Sequence, residues 1–243
     1  MAKKVFLGVG HGGTDPGASA NGLKEKDVNL GIALAAREHL ERAGVEVRLS
    51  RYKDEDDSLA EEIRECNTYG PDLAVDVHNN AGGGDGFEAY CSLVGGVSRK
   101  LAENIERQVL AAGQNSRGVK TRPYPGRPNL DYYGFVRETK APAVLCEFAF
   151  LDTPDRDAVD SPADQEKMGK ALAMGILDTL GIPWRRRSGS ATPTGRSWRW
   201  TSTTTPGAGM ASRPTAPWLA GYPGSWRRAS SGRCLPPGRT AVG

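Results

Sequence analysis

The chain has little sulfur, little histidine and no long apolar run. Nowhere does it approach the roughly 20 consecutive apolar residues of a membrane-crossing helix, so no membrane segment is expected in its 243 residues. The apolar stretch after Met1-Ala2-Lys3-Lys4 is broken at Gly8 and is too short for the core of an export signal. The expectation is synthesis in the cytoplasm without a signal peptide. Cys66, Cys91, Cys146 and Cys234 lie far apart with no C-x-x-C pair, which excludes zinc-finger and thioredoxin-type readings and leaves four free thiols. From residue 185 onward Asp, Glu, Lys, Asn, Gln and Ile are missing altogether, while ten Arg and four of the five Trp gather there. Taking those ten from the 32 basic residues leaves 22 against 29 acidic ones, so residues 1–184 carry −7 and the tail +10, and the overall +3 describes neither part. Without aliphatic periodicity the tail cannot bury enough surface to offset chain entropy, and disorder is expected over 185–243, its tryptophans being the argument against. Its residue set is also what a GC-rich gene yields when read out of frame. Its arginines could contact anionic polymers, although a charge run is usually only solvated.

The first 184 residues alternate strand and helix patterns, which predicts an α/β fold. Residues 4–9 read as a buried strand running into His11-Gly12-Gly13-Thr14-Asp15-Pro16-Gly17-Ala18, so His11 is placed at a strand's carboxyl end, where open α/β sheets keep their ligand crevices. Gly8 to Gly13 match the letters G-x-G-x-x-G. However, the chain stays irregular through Gly22 where a dinucleotide site needs a helix, and the strand at 45–49 runs into Ser50-Arg51 where such a site needs an acid, so nucleotide binding is not expected. A helix is predicted to 43 with Asp27 as N-cap and Glu25 just ahead of it, followed by a helix at 58–67. A strand at 72–77 ends in His78-Asn79-Asn80. A strand at 87–91, a helix at 97–112, a loop with at most one short strand at 117–128, a strand at 143–150 and a helix at 164–180 complete the domain.

With three histidines, elimination is possible. His39 sits mid-helix among charges, where a solvated or partly packed role is expected. His11 and His78 end separate strands, and with an acid such as Glu25 from a third segment they make the three-ligand set of a catalytic zinc site with one position open. Glu147 lies in an otherwise apolar strand, and a buried carboxylate needs a reason. Beside a metal it would serve as the base and acid of hydrolysis; the plainer alternative is an ion pair to Arg137. Cys146 alternates with Glu147 and must face the other way. Asn79 and Asn80 are candidate substrate contacts, though Asn after a strand is commonly a turn residue. Glu88 is open between support of the site and plain exposure.

These segments also carry a family likeness. His11 to Ala18, Gly22 to Leu30, Val77 to Ala81, Gly86-Phe87-Glu88 and Pro142 to Leu151 appear in the order found in the zinc-dependent N-acetylmuramoyl-L-alanine amidases of the Amidase_3 type, and the chain resembles them over about residues 3–182. The resemblance implies His11, Glu25 and His78 as ligands of Zn2+, Glu147 as catalytic acid/base, and a single-domain mixed sheet flanked by helices. It further implies hydrolysis of the amide joining N-acetylmuramic acid to L-Ala in peptidoglycan. Three positions depart from the family's pattern: Asp76 replaces a serine, Glu62 an arginine, and Gly8-Val9 the aspartate-proline before Gly10-His11. The partner expected is peptidoglycan, with no nucleic acid, and the tail could touch anionic wall polymers. The expected setting is a lysin reaching the wall after release, with an autolysin as the other. The alternatives are a different zinc amide hydrolase acting on wall peptides and a non-catalytic wall-binding module.

Overall fold

A computed structural model describes residues 2–184; the expectations made for 185–243 lie outside the described residues. The apolar run Lys4–Val9 forms β1, and the glycine-rich segment after it is fastened by a two-strand hairpin, β2 (Ser19–Ala20) with β3 (Leu23–Lys24), that leads directly into α1 (Glu25–Arg42). The helix therefore begins at Glu25, earlier than an Asp27 cap implies. Its first N–H donates to Ala18 O, so the hairpin does the work of a capping side chain. After β4 (Glu46–Leu49), Ser58 opens α2 (Leu59–Tyr69) with a reciprocal capping box to Glu61, and Gly70 closes it in the left-handed conformation. Next come β5 (Leu73–Asn80), β6 (Phe87–Cys91), α3 (Val97–Ala111) and β7 (Ser116–Lys120). A second hairpin, β8 (Pro123–Tyr124) with β9 (Arg127–Asp131), then precedes the short α4 (Gly134–Glu138). The last strand is β10 (Ala143–Phe150), and α5 (Pro162–Leu180) follows. Where one short strand at most was expected over 117–128, the chain has an edge strand and a hairpin. Their residues are polar and Pro- or Gly-interrupted, so pairing there is set by tertiary contact and leaves no apolar alternation to read.

The six-stranded sheet runs β4-β1-β5-β10-β6-β7. Strands β4, β1, β5 and β10 are mutually parallel, while β6 is antiparallel to β10 and parallel to β7, giving the mixed sheet expected. Helices α1, α3 and α5 cover one face, over Val5, Leu7, Val9, Val75, Val77, Val144, Cys146 and Phe148. The opposite face is covered by α2 and α4 over Phe6, Ala74 and Ala143. Those three lie nearer the strand starts than His78 and Glu147, which remain partly exposed beyond them. The candidate site residues His78 and Glu147 thus sit on the part of this second face that no helix among the described residues covers.

Candidate metal centre and active site

His78 on β5, Glu147 on β10 and Glu88 on β6 are register partners across three adjacent strands, so their side chains leave the same face of the sheet in a row. His78 lies inside β5, two residues before its end, and is not in the following loop. His11 reaches the row from the end of β1 with φ 64, a left-handed conformation unusual for a residue with a side chain and of the kind that gathers at functional sites. Glu25 arrives as the first residue of α1, where the helix N-terminus favours a carboxylate. One ligand atom from each of His11, Glu25 and His78 lies within 4.8 Å of the other two.

The donor set suits a divalent cation such as zinc, which takes imidazole nitrogen and carboxylate oxygen at about 2 Å. The two glycines nearest the cluster leave it room. A Cβ at Gly10 would stand 2.2 Å from the His78 ring, and one at Gly17 2.6 Å from both Glu25 Oε2 and the His11 ring. His11 Nδ1 is paired with Asp15 Oδ2 at 2.8 Å, which turns Nε2 toward Glu25 Oε2 at 3.2 Å. His78 Nδ1 faces Glu25 Oε1 at 2.9 Å. Glu25 is itself held by backbone N–H groups of Ala18 (2.9 Å) and Asn79 (3.1 Å).

Burial works against charge on both imidazoles, but Glu25 raises His11 above its ordinary value, and Asp76 with Glu25 raises His78 well above it. Burial likewise opposes ionisation of Glu25, and its bonds to His11 and His78 hold it far below the usual carboxylate range. Without metal, therefore, both rings hold a proton more tightly than a free imidazole does, and a metal ion must compete with it. Metal uptake at pH 7 is expected to release protons, and affinity is expected to fall as pH is lowered. Calorimetric titration in buffers of different ionisation heat checks this, since an enthalpy independent of buffer would contradict it.

Glu147 is the row's third group. Its Oε2 is buried and has no hydrogen-bond partner among the described residues, and burial pushes its carboxyl up to about 8. The Arg137 pairing is not what the structure holds: that guanidinium donates to Asp131 O and Tyr132 O at 3.0 Å and to Glu138. Glu88 is neither exposed nor directed at the imidazoles, because it is buried and neutralised by Arg117 and by Lys120 at 2.6 Å, with the Tyr90 hydroxyl donating at 2.8 Å. Cys146 faces the main core, opposite Glu147. His39 packs between helices, with Nε2 on Glu166 Oε1 at 2.7 Å.

Asn79 and Asn80 do not stand out as substrate groups. Asn79 is buried and donates to Asn29 Oδ1 at 2.8 Å, bracing the segment that carries Glu25, while Asn80 Oδ1 accepts the N–H of Ala81 as a turn residue does. Sequence reasoning missed Asp15 as the partner of His11. It also missed Arg51, fully buried, which donates to Val9 O at 3.1 Å and Lys26 O at 2.7 Å and so ties the His11 segment to α1. Asp15 lies four residues from His11 and could have been found as a local carboxylate partner; Arg51 leaves no such local signal.

Two imidazoles and a carboxylate with ligand atoms within 4.8 Å of one another, beside a buried carboxyl oxygen without a partner among the described residues, form a cluster able to hold a metal ion on a mixed α/β sheet. The chain belongs to the N-acetylmuramoyl-L-alanine amidase family (Amidase_3), whose profile matches residues 5–178, and is a hydrolase of that class. It is 37% identical over 184 residues to the N-acetylmuramoyl-L-alanine amidase CwlM of Bacillus licheniformis, covering 74% of this chain and 69% of that protein. It is 34% identical over 203 residues to the endolysin of Bacillus phage SPP1, covering 79% of this chain and 71% of that one. Among solved structures it superposes on the N-acetylmuramoyl-L-alanine amidase AmiC2 of Nostoc punctiforme with a TM-score of 0.66 at 27% identity, over 74% of this chain and 97% of that one.

Proposed function

We propose that the chain hydrolyses the amide between the lactyl group of N-acetylmuramic acid and L-alanine in peptidoglycan, with His11, Glu25 and His78 holding a zinc ion and Glu147 acting as general base and then general acid. The observation that carries this reading is the convergence of the three ligand atoms within 4.8 Å of one another on the sheet face from which Glu147 projects. When bound, zinc supplies Lewis acidity toward the scissile carbonyl and the attacking water. Asp15 holds the far nitrogen of His11, so that the near one keeps its lone pair for the metal. Glu147 takes the proton of the attacking water and delivers it to the departing L-alanine nitrogen. Burial raises this carboxyl above the usual carboxylate range in the metal-free protein, and the charge of a bound ion would draw it back toward neutrality, the range in which one group can both take and return a proton.

Digestion of purified cell wall tests the assignment. The expected product is stem peptide bearing a new L-alanine amino terminus, with no new reducing sugar ends. Cleavage inside the peptide would favour the alternative zinc peptidase, and wall binding without cleavage the non-catalytic module. We propose further that residues 1–184 are the catalytic domain, that the wall is its place of action in the manner of a lysin, and that 185–243 is dispensable for the chemistry. The family match ending at 178 supports this division. A chain cut after residue 184 is expected to release the same product at a rate within about twofold of the full chain, compared on wall digests at equal zinc loading.

A further inference from the structure

Gly8, Glu62 and Asp76 meet at one point behind His78. Parallel pairing of β1 with β5 puts Gly8 opposite Asp76, and α2 lowers Glu62 onto them. A Cβ at Gly8 would stand 1.9 Å from Glu62 Oε1 and 2.8 Å from Asp76 Oδ1, so the two carboxyl groups fill the space that a side chain at position 8 would need. Both residues are nearly inaccessible, at 5% and 2% exposure, and these same two oxygens have no hydrogen-bond partner among the described residues. The second oxygen of Asp76, Oδ2, lies 3.3 Å from His78 Nε2. Two bare negative charges this close and this buried would repel strongly, whereas a carboxyl and a carboxylate sharing one hydrogen would not. Burial, followed by the charge of Asp76, pushes Glu62 well above the usual carboxylate range, which makes Glu62 the member that carries the hydrogen.

We propose that Asp76 is a positioning residue for the metal site: it accepts the Nε2 hydrogen of His78, which commits Nδ1 to the metal, and it is itself held by a hydrogen bond from Glu62 across the space that Gly8 leaves open. Carboxylates behind ligating histidines fix ring orientation and basicity. Here the supporting carboxylate stands two residues before its histidine on the same strand and therefore on the same face. A serine at that position offers a hydroxyl but no charge. The three residues thus act as one unit: position 8 carries no side chain, and two acids from neighbouring elements fill the space it leaves.

The proposal rests on His78 being a zinc ligand, and the experiment keeps the two apart. Zinc affinity of the full chain is measured by competition with a chromophoric chelator, with His78→Ala as control; if that variant keeps wild-type affinity, the ligand assignment fails, and the inference with it. Given a working control, Asp76→Ala is expected to weaken zinc binding roughly 10- to 100-fold. Glu62→Leu is expected to weaken it in the same direction, and Glu62→Gln, whose amide can donate in place of the carboxyl, to restore it. Wild-type affinity in a folded Asp76→Ala protein would overturn the proposal. Should that variant fail to fold, nitrogen-15 spectra of the wild-type zinc form decide: His78 is expected to carry its hydrogen on Nε2, and a hydrogen on Nδ1 would overturn it.

Discussion

Glu147→Gln is expected to lower turnover of wall substrate by about two to four orders of magnitude while leaving zinc content unchanged. The amide keeps the size of the side chain but can neither take the proton of water nor return it to the leaving nitrogen. A metal assay beside single-turnover digestion separates loss of chemistry from loss of the ion, and substantial residual activity would mean that the proton passes through another group. The same variant has a second expected signature in the metal-free protein. The folded Glu147 carboxyl titrates at about 8, above its ordinary 4.5, so the folded chain binds this proton more tightly than the unfolded one. The corresponding stability is fully present below about pH 4.5 and is lost as pH rises toward 8. Gln has no proton to lose there. The melting temperature of metal-free Glu147→Gln is therefore expected to match wild type near pH 4 and to exceed it increasingly up to pH 8. A difference independent of pH would show that the carboxyl is not perturbed as described.

Removal of the ion is expected to have the largest effect of all. Treatment with a strong chelator should reduce wall digestion to background, and added zinc should restore it, because on the proposed mechanism the ion polarises the amide carbonyl, whereas Glu88 is neutralised by Arg117 and Lys120 and Glu147 is assigned to proton transfer. His78→Ala is expected to give the same loss without recovery, since it removes one of the three proposed ligands and the ring that packs against Gly10. Ion binding to the folded chain alone also raises its melting temperature by mass action. Scanning calorimetry with and without zinc therefore gives a readout independent of substrate. Activity that survives exhaustive chelation, with zinc shown to be gone, would refute the metal reading.

Much of this site could be read from the sequence because its parts obey local rules. His11 and Glu147 are conspicuous against apolar strands, and His78 follows one. With only three histidines in the chain, the choice of ligands was short. The alternation of Cys146 with Glu147 assigned their faces correctly, since the period of a strand is two. What could not be read depends on contacts between distant segments. The start of α1 is set by the β2–β3 hairpin, and two-residue strands leave no periodic trace. Asn79 resembles a loop residue until Asn29, fifty residues earlier, is seen to receive its amide hydrogen. The departures at 8, 62 and 76 read as three unrelated losses of a family feature, because nothing along the chain says that β1, α2 and β5 bring them to one place.

Cys66, Cys91 and Cys146 are sealed beneath the helices at 2% exposure or less, and burial pushes the Cys66 thiol up to about 12 and raises the other two as well. Since attack by sulfur requires the thiolate, these three are poor targets for alkylating reagents and poor partners for disulfide exchange. Oxidants and alkylating reagents would therefore reach these three sulfurs only after the described domain opens, so its covalent structure is insensitive to the redox state of its surroundings while it stays folded.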